Sequence, residues 1–327
     1  MTIGVAVVGS GRWGPNHIRT LLGMSRAELL WVIDPDAAAR ERAHELAPQA
    51  QIASELGLAL QDDRVQAVVI ASPASTHVDL GLACLHARRH VLVEKPLAPT
   101  LEGARRLVEA ARARDRQLCV GHICVFMPGV LDVRERISHG DLGVLRVVDA
   151  DRTSVPARQP DVDVLWDLGT HDLSILNSWV GQSPVAVAAT GAVLPPFHRV
   201  SVATATLWYP GDVVGRIRVS WHGALKIRRV SASGDGGVAV FDDAAEKRSV
   251  NLTLADGSSR AEQVQGSPPL LAELESFLDA VEHGRASPVD GLSGLEVIRV
   301  LTAMQWSLDH GGQRIALEAL DSVDNPA

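Results

Sequence analysis

Along the first third of the chain, short apolar runs alternate with segments whose apolar residues recur at helical spacing. Residues 3–8 (Ile-Gly-Val-Ala-Val-Val) are rich in β-branched side chains and too short for a helix, which predicts a strand covered on both faces. Runs at 29–33, 65–71, 90–93 and 117–121 have the same character. Between them, Ile18, Leu21 and Leu22 mark one helix, residues 36–46 a second, and the stretch from His77 through Leu85 a third. Leu101, Ala104, Leu107, Val108 and Ala111 line one face of a fourth, at 101–114. Strands separated by helices predict a parallel sheet with right-handed crossovers, whose ligands bind beyond the carboxyl ends of the strands. From about residue 145 the pattern changes: runs at 145–151, 185–193, 200–208, 213–221, 227–233 and 238–241 are strand-like and separated by Gly, Pro and Asp turns. Only a helix near 166–180 interrupts them, so an antiparallel sheet in an α+β domain is expected. Helices return at 270–282 and 291–308, the last expected to pack back on the first domain.

The link between the first strand and the first helix carries chemistry. Gly9, Gly11 and Gly14 follow the strand at once, and the next strand ends at Asp34. In a dinucleotide-binding unit the first glycine permits the tight turn, the second lets the backbone approach a pyrophosphate, and the third lets the helix pack on the strand. The pyrophosphate then lies on unpaired N–H groups at the helix N-terminus. Asp34 is placed to accept hydrogen bonds from the adenosine ribose and to repel a 2′-phosphate, so NAD is expected over NADP; Arg12, in the turn, is a possible counter-charge. The alternative is an ordinary glycine turn. These features predict an N-terminal Rossmann domain, a doubly wound parallel sheet at 1–122, followed by a second domain at 123–327.

Composition narrows the partners. At 327 residues the chain exceeds a usual single core, and with 46% hydrophobic residues two domains can each bury one. A formal charge of −8 without a basic stripe argues against nucleic acid. Cys84, Cys119 and Cys124 are odd in number and lack metal spacing, which predicts buried fillers in a reducing cytosol and no metal, the alternative being a reactive thiol or a metal site. No apolar run is long enough to cross a bilayer, and no basic region precedes a signal core, so a cytoplasmic protein with no membrane contact is expected.

Two further motifs fall where a site is expected. Glu94-Lys95-Pro96 closes a parallel strand, and arginine fills all but three (Lys95, Lys226 and Lys247) of the 31 basic positions. Lys95 is therefore either a solvated surface charge or a compact cation kept for a shared proton. Asp167 and His171 are four apart near the start of a helix, so an acid and an imidazole reach one volume, or else His171 is a satisfied buried residue. Arg152 and Arg158 flank Pro156 just before that helix and belong either to a diphosphate clamp or to a solvated loop.

With the glycine turn, the strand-end Lys-Pro and the Asp-x-x-x-His helix in this order, most of the chain resembles the glucose–fructose oxidoreductase/inositol dehydrogenase/rhizopine catabolism (Gfo/Idh/MocA) family. The resemblance implies a Rossmann domain followed by an open-faced antiparallel sheet that serves as an oligomer interface, hence a homodimer or homotetramer. It implies NAD(P)-linked oxidation of a sugar or cyclitol hydroxyl, or the reverse reduction. The family's catalytic lysine falls on Lys95, its histidine on His171 and the supporting acid on Asp167. Its Pro-x-x-x-His turn falls on Pro73 and His77, and its strand-closing Gly-His on His122. Expected cofactor contacts are therefore Gly9, Gly11, Arg12, Trp13, Gly14, Asp34, Ser72, Pro73, His77, Glu94, Lys95 and His122. Lys95, Arg152, Arg158, Trp166, Asp167 and His171 are expected to meet the substrate. Residues 161–167 look most like members acting on nucleotide-linked sugars, where oxidation is often at C3; a free cyclitol or sugar, imine or ketone reduction, and a non-catalytic NAD sensor are the alternatives. One departure is Phe126-Met127-Pro128, where relatives commonly show an aromatic followed by Asn-Pro, which removes a substrate hydrogen bond.

Overall fold

The structure, a computed structural model, describes residues 2–154, 162–245 and 248–323. Its first strand, β1 (Ile3–Val8), is buried at every position, as a β-branched run without polar alternation requires. It is followed by α1 (Gly14–Leu22), β2 (Ala27–Ile33), α2 (Ala37–Leu46), β3 (Gln51–Ala53), α3 (Leu56–Leu60), β4 (Val65–Ile70), α4 (His77–His86), β5 (His90–Glu94), α5 (Leu101–Arg114) and β6 (Leu118–Gly121). The six strands form one parallel sheet in the order β3-β2-β1-β4-β5-β6. Local chemistry sets the helix ends: Asp36 accepts the Ala39 N–H at 2.7 Å at the start of α2, and Thr100 accepts the Gly103 N–H at 3.1 Å at the start of α5.

The chain continues with α6 (Pro128–His139), β7 (Leu145–Thr153), a π-helical turn at Leu165–Gly169, α7 (Thr170–Val180), β8 (Ala186–Ala192), β9 (Val202–Trp208), β10 (Val214–Ser220), β11 (Ile227–Gly234), β12 (Gly237–Asp242), β13 (Ser249–Leu254) and β14 (Ser259–Gln263). Then come α8 (Pro269–His283), α9 (Gly291–Asp309), β15 (Ile315–Ala316) and α10 (Leu317–Val323). A nine-stranded sheet runs β14-β13-β12-β11-β7-β10-β9-β8-β15. It is antiparallel except for β7 beside β10, so the expected antiparallel sheet carries one parallel pair, and α7 lies in the long connection between β7 and the strands that follow.

The chain forms two compact units, one of Met1–Ile123 with Pro268–Ile298 and the other of Cys124–Ser267 with Arg299–Ala327. The return of α8 to the first unit follows from its apolar face: Leu274, Phe277 and Leu278 join the core built by Val5, Val7, Ile18, Leu21, Val32 and Leu92. The start of α9 packs on β6, where a Cβ at Gly294 would stand 2.4 Å from Val120 Cγ2. Two helical segments beyond residue 122, α8 and the start of α9, thus complete the first core.

Candidate active site

Within the first unit, the turn after β1 behaves as three different glycines. Gly9 has φ +90°, and a Cβ there would lie 2.7 Å from the Ala71 carbonyl oxygen. At Gly14 a Cβ would fall 1.9 Å from the Gly9 carbonyl oxygen, so the helix can meet the strand only without a side chain. At Gly11 a Cβ would meet nothing within 4 Å. The protein's own packing makes no demand there; the open space is where a ligand's phosphate would need the backbone. Trp13 stands at the N-cap of α1 without a side-chain cap bond and Pro15 follows in the first turn, so the N-cap side chain does not satisfy the first N–H groups of the helix.

Asp34 closes β2 and is tied to this turn. Its Oδ2 accepts the Ser10 N–H at 2.7 Å and its Oδ1 accepts the Asp36 N–H at 2.9 Å. A carboxylate has about four acceptor sites, so ribose hydroxyls can still be accommodated. Ser10, whose Oγ also donates to the Ala39 carbonyl at 3.1 Å, locks the turn onto α2 and was not singled out by the sequence. Arg40, one turn into α2, donates to the carbonyls of Asp34 and Pro35 at 2.8 Å each, bringing a guanidinium to a corner where residues 35 and 36 supply none.

After β4, Ser72 and Thr76 hydroxyls bond at 2.7 Å, and His77 is buried with Nδ1 2.8 Å from the Pro96 carbonyl and Nε2 3.0 Å from the Ser72 carbonyl. Burial lowers the His77 pKa even though both carbonyls favour its charged form. His77 thus clamps the Ser72-Pro73 loop to the Lys95-Pro96 turn, whose peptide bond is cis, and takes part by holding two loops. Glu94 at the end of β5 meets His17 Nε2 at 2.8 Å and accepts the Lys95 N–H at 3.2 Å. His122, just past β6, is buried; burial and then the Lys95 charge depress its pKa to about 3, leaving a neutral imidazole near a cation.

The second unit holds the acid and the imidazole. Asp163 Oδ1 accepts the N–H groups of Leu165 and Trp166 at 2.9 and 3.1 Å and opens the π turn, a feature frequent at functional sites. Asp167 lies in that turn and accepts a 3.0 Å bond from the indole N–H of Trp221, while His171 stands in the first turn of α7. The α-helical four-residue spacing expected from the sequence is therefore replaced by a wider turn. Trp166 is half-buried in the same turn. Arg152 departs further from expectation: it is buried, and its Nε and Nη2 reach Asp172 Oδ1 at 2.8 and 2.7 Å. That guanidinium is used inside the fold to fix α7, not offered to a diphosphate. Arg158 lies outside the described residues. Among the described residues, no group of three or more His, Cys, Asp or Glu is arranged to hold a metal, and no helix is long and apolar enough to cross a membrane.

An open glycine turn, a helix N-terminus without a side-chain cap and a strand-end acid on a parallel sheet define the first unit as an NAD-binding Rossmann domain. Residues 3–122 match the oxidoreductase family with an NAD-binding Rossmann fold, and residues 130–240 match the GFO/IDH/MocA C-terminal domain. The chain belongs to the Gfo/Idh/MocA oxidoreductase family. It is 29% identical over 322 residues to the UDP-N-acetylglucosamine 3-dehydrogenase of Acidithiobacillus ferrooxidans, covering 94% of this chain and 98% of that one. It is 35% identical to inositol 2-dehydrogenase 2 of Saccharopolyspora erythraea over 207 residues, 61% of each protein. Among solved structures, GenD2 from gentamicin A biosynthesis, in complex with NAD, superposes with a TM-score of 0.83 at 25% identity, covering 96% of each chain.

Proposed function

We propose that the chain oxidises a ring hydroxyl of a sugar, with a nucleotide-linked sugar oxidised at C3 as the favoured substrate. The observation that carries the reading is Lys95 at the carboxyl end of β5, in the same sheet whose β1–α1 turn and β2 acid form the cofactor cradle. NAD held on Gly9, Gly11, Gly14 and Asp34 supplies the hydride acceptor. His171 takes the hydroxyl proton as the carbon gives up its hydride, so the C–O bond becomes a carbonyl. Lys95 donates to that oxygen and stabilises its developing negative charge. Asp167, steadied by the Trp221 indole, orients His171 or grips a neighbouring hydroxyl. The reading requires Lys95 and His171 to serve one substrate oxygen.

The near full-length similarity to a UDP-N-acetylglucosamine 3-dehydrogenase supports the nucleotide-linked sugar. The higher identity to an inositol 2-dehydrogenase over part of the chain supports a cyclitol as second reading. Assembly into a homodimer or homotetramer through the nine-stranded sheet is part of the same proposal. A screen of UDP-linked sugars, free sugars and inositols with NAD tests it: turnover of a UDP-linked sugar is expected. Turnover of inositols alone selects the second reading, and tight NAD binding without turnover of any hydroxyl defeats both.

A further inference from the structure

Glu273, on α8, is 1% exposed, and neither of its carboxyl oxygens has a hydrogen-bond partner among the described residues. An ionised carboxylate in such a place is too costly to keep without donors, so the group takes up a proton. Its electrostatic neighbour is Glu94, and the two differ in what surrounds them. Glu94 has a donor at each oxygen, the His17 ring at 2.8 Å and the Lys95 backbone N–H at 3.2 Å. Gly121 leaves it room: a Cβ there would stand 3.0 Å from Glu94 Oε2. The acid without donors, Glu273, is the one that burial and then the nearby Glu94 push toward its protonated form.

We propose that Glu273 is a positioning residue for the Lys95 strand end: it sits as an uncharged acid near Glu94, whose two oxygens tie α1 to the end of β5. The tie matters because α1 carries the phosphate-binding turn and β5 carries Lys95. Among the described residues, the charge that acts on Glu273 is that of Glu94, which adds to the effect of burial. Cys119 on β6 feels Glu273 and Asp290 and is pushed up to about 12, chiefly by burial, so it is a neutral thiol. Asp290, just ahead of α9, is a further acid. His17 on α1 is engaged by Glu94, and the Lys95 charge acts on His122. A second negative charge on Glu273 would repel Glu94 and loosen its hold on His17 and the Lys95 N–H.

The importance of the strand end rests on the dehydrogenase reading, but the test needs no substrate. Full-length wild type and E273Q are compared from about pH 5 to pH 9 by thermal unfolding and by NAD titration. Burial raises the folded Glu273 pKa above its ordinary 4.5. The folded acid therefore favours stability below that value, and the advantage is lost as pH rises toward the folded pKa. E273Q is expected to gain on wild type in Tm as pH rises. Over the same range wild-type NAD affinity should fall on the order of tenfold while E273Q stays flat. Parallel unfolding curves overturn the uncharged acid; a widening stability gap with identical NAD curves overturns the positioning role. A measurement on wild type alone covers an E273Q that does not fold: the infrared carbonyl band of a protonated carboxylic acid is expected at neutral pH, and its absence overturns the proposal.

Discussion

Gly11 and Gly14 stand three residues apart in one turn, yet their alanine variants should fail in opposite ways. Gly11→Ala adds a methyl group to a position with nothing within 4 Å. In the free protein this should be mildly stabilising, about 0.4–1 kcal/mol through the unfolded chain, and Tm should hold or rise by roughly 1–4 °C. With NAD the same methyl stands where a pyrophosphate oxygen must approach the backbone. Losing one charge-assisted hydrogen bond of about 1.5–3 kcal/mol weakens binding roughly 10- to 100-fold. Gly14→Ala instead drives a Cβ to 1.9 Å from the Gly9 carbonyl oxygen and 2.9 Å from its carbon, both backbone atoms that cannot rotate away. The turn must move, at about 1–3 kcal/mol, and Tm should fall by several degrees before any ligand is added. Thermal unfolding without NAD and calorimetric titration with it separate the two effects. Gly11→Ala binding NAD as tightly as wild type would refute the cradle, and Gly11→Ala losing as much Tm as Gly14→Ala would refute the open space on which the argument stands.

Lys95→Ala should lower turnover on the order of 10²–10³ and His171→Ala roughly 10²–10⁴, with NAD affinity kept in the His171 variant; near wild-type rates in both would remove them from the mechanism. Asp34 should make kcat/KM higher with NAD than with NADP, and a clear NADP preference would show that Arg40 and Arg12 overcome the carboxylate's repulsion. Arg152→Ala leaves Asp172 buried without its cation and should cost about 3–5 kcal/mol of stability, read by denaturant unfolding, whereas a substrate clamp would change KM and spare the fold. His122 titrates far below its ordinary 6.5 when folded, so its contribution to stability is complete above that pH and drains away as pH falls toward about 3. His122→Gln should flatten that acid limb by up to several kcal/mol, and an unchanged limb would mean the imidazole is not buried neutral.

The parallel half of the fold was legible because its strands are buried on both faces and carry runs such as Val65–Ile70, which no amphipathic helix would show. β3, β13 and β14 were not read. β3 has only three residues, and β14 (Ser-Arg-Ala-Glu-Gln) is almost wholly exposed, so neither leaves an apolar trace. α6 escaped because Pro128 and its charged face read as a connection. The π turn at Leu165–Gly169 shares its composition with an ordinary helix start, and only the bonds of Asp163 and Trp221 distinguish it.

The site residues show why motif reading finds positions better than roles. Asp34, His77 and Glu94 were each expected to face the cofactor, and each also binds another part of the first unit: Asp34 the Ser10 N–H, His77 the carbonyls of Ser72 and Pro96, Glu94 the ring of His17 on α1. Those partners stand up to 77 residues away, in the case of Glu94 and His17, and no local pattern encodes such a pairing. The reason these residues sit at strand ends is mechanical. A parallel sheet delivers its loops to one edge but leaves them independent, and a site that must hold a flexible dinucleotide needs them fixed to one another before the ligand arrives. The side chains serve as ties. The surface open for a phosphate is backbone, at Gly11 and at the start of α1, which the glycine spacing marks, whereas the ties among the loops leave no local trace in the sequence.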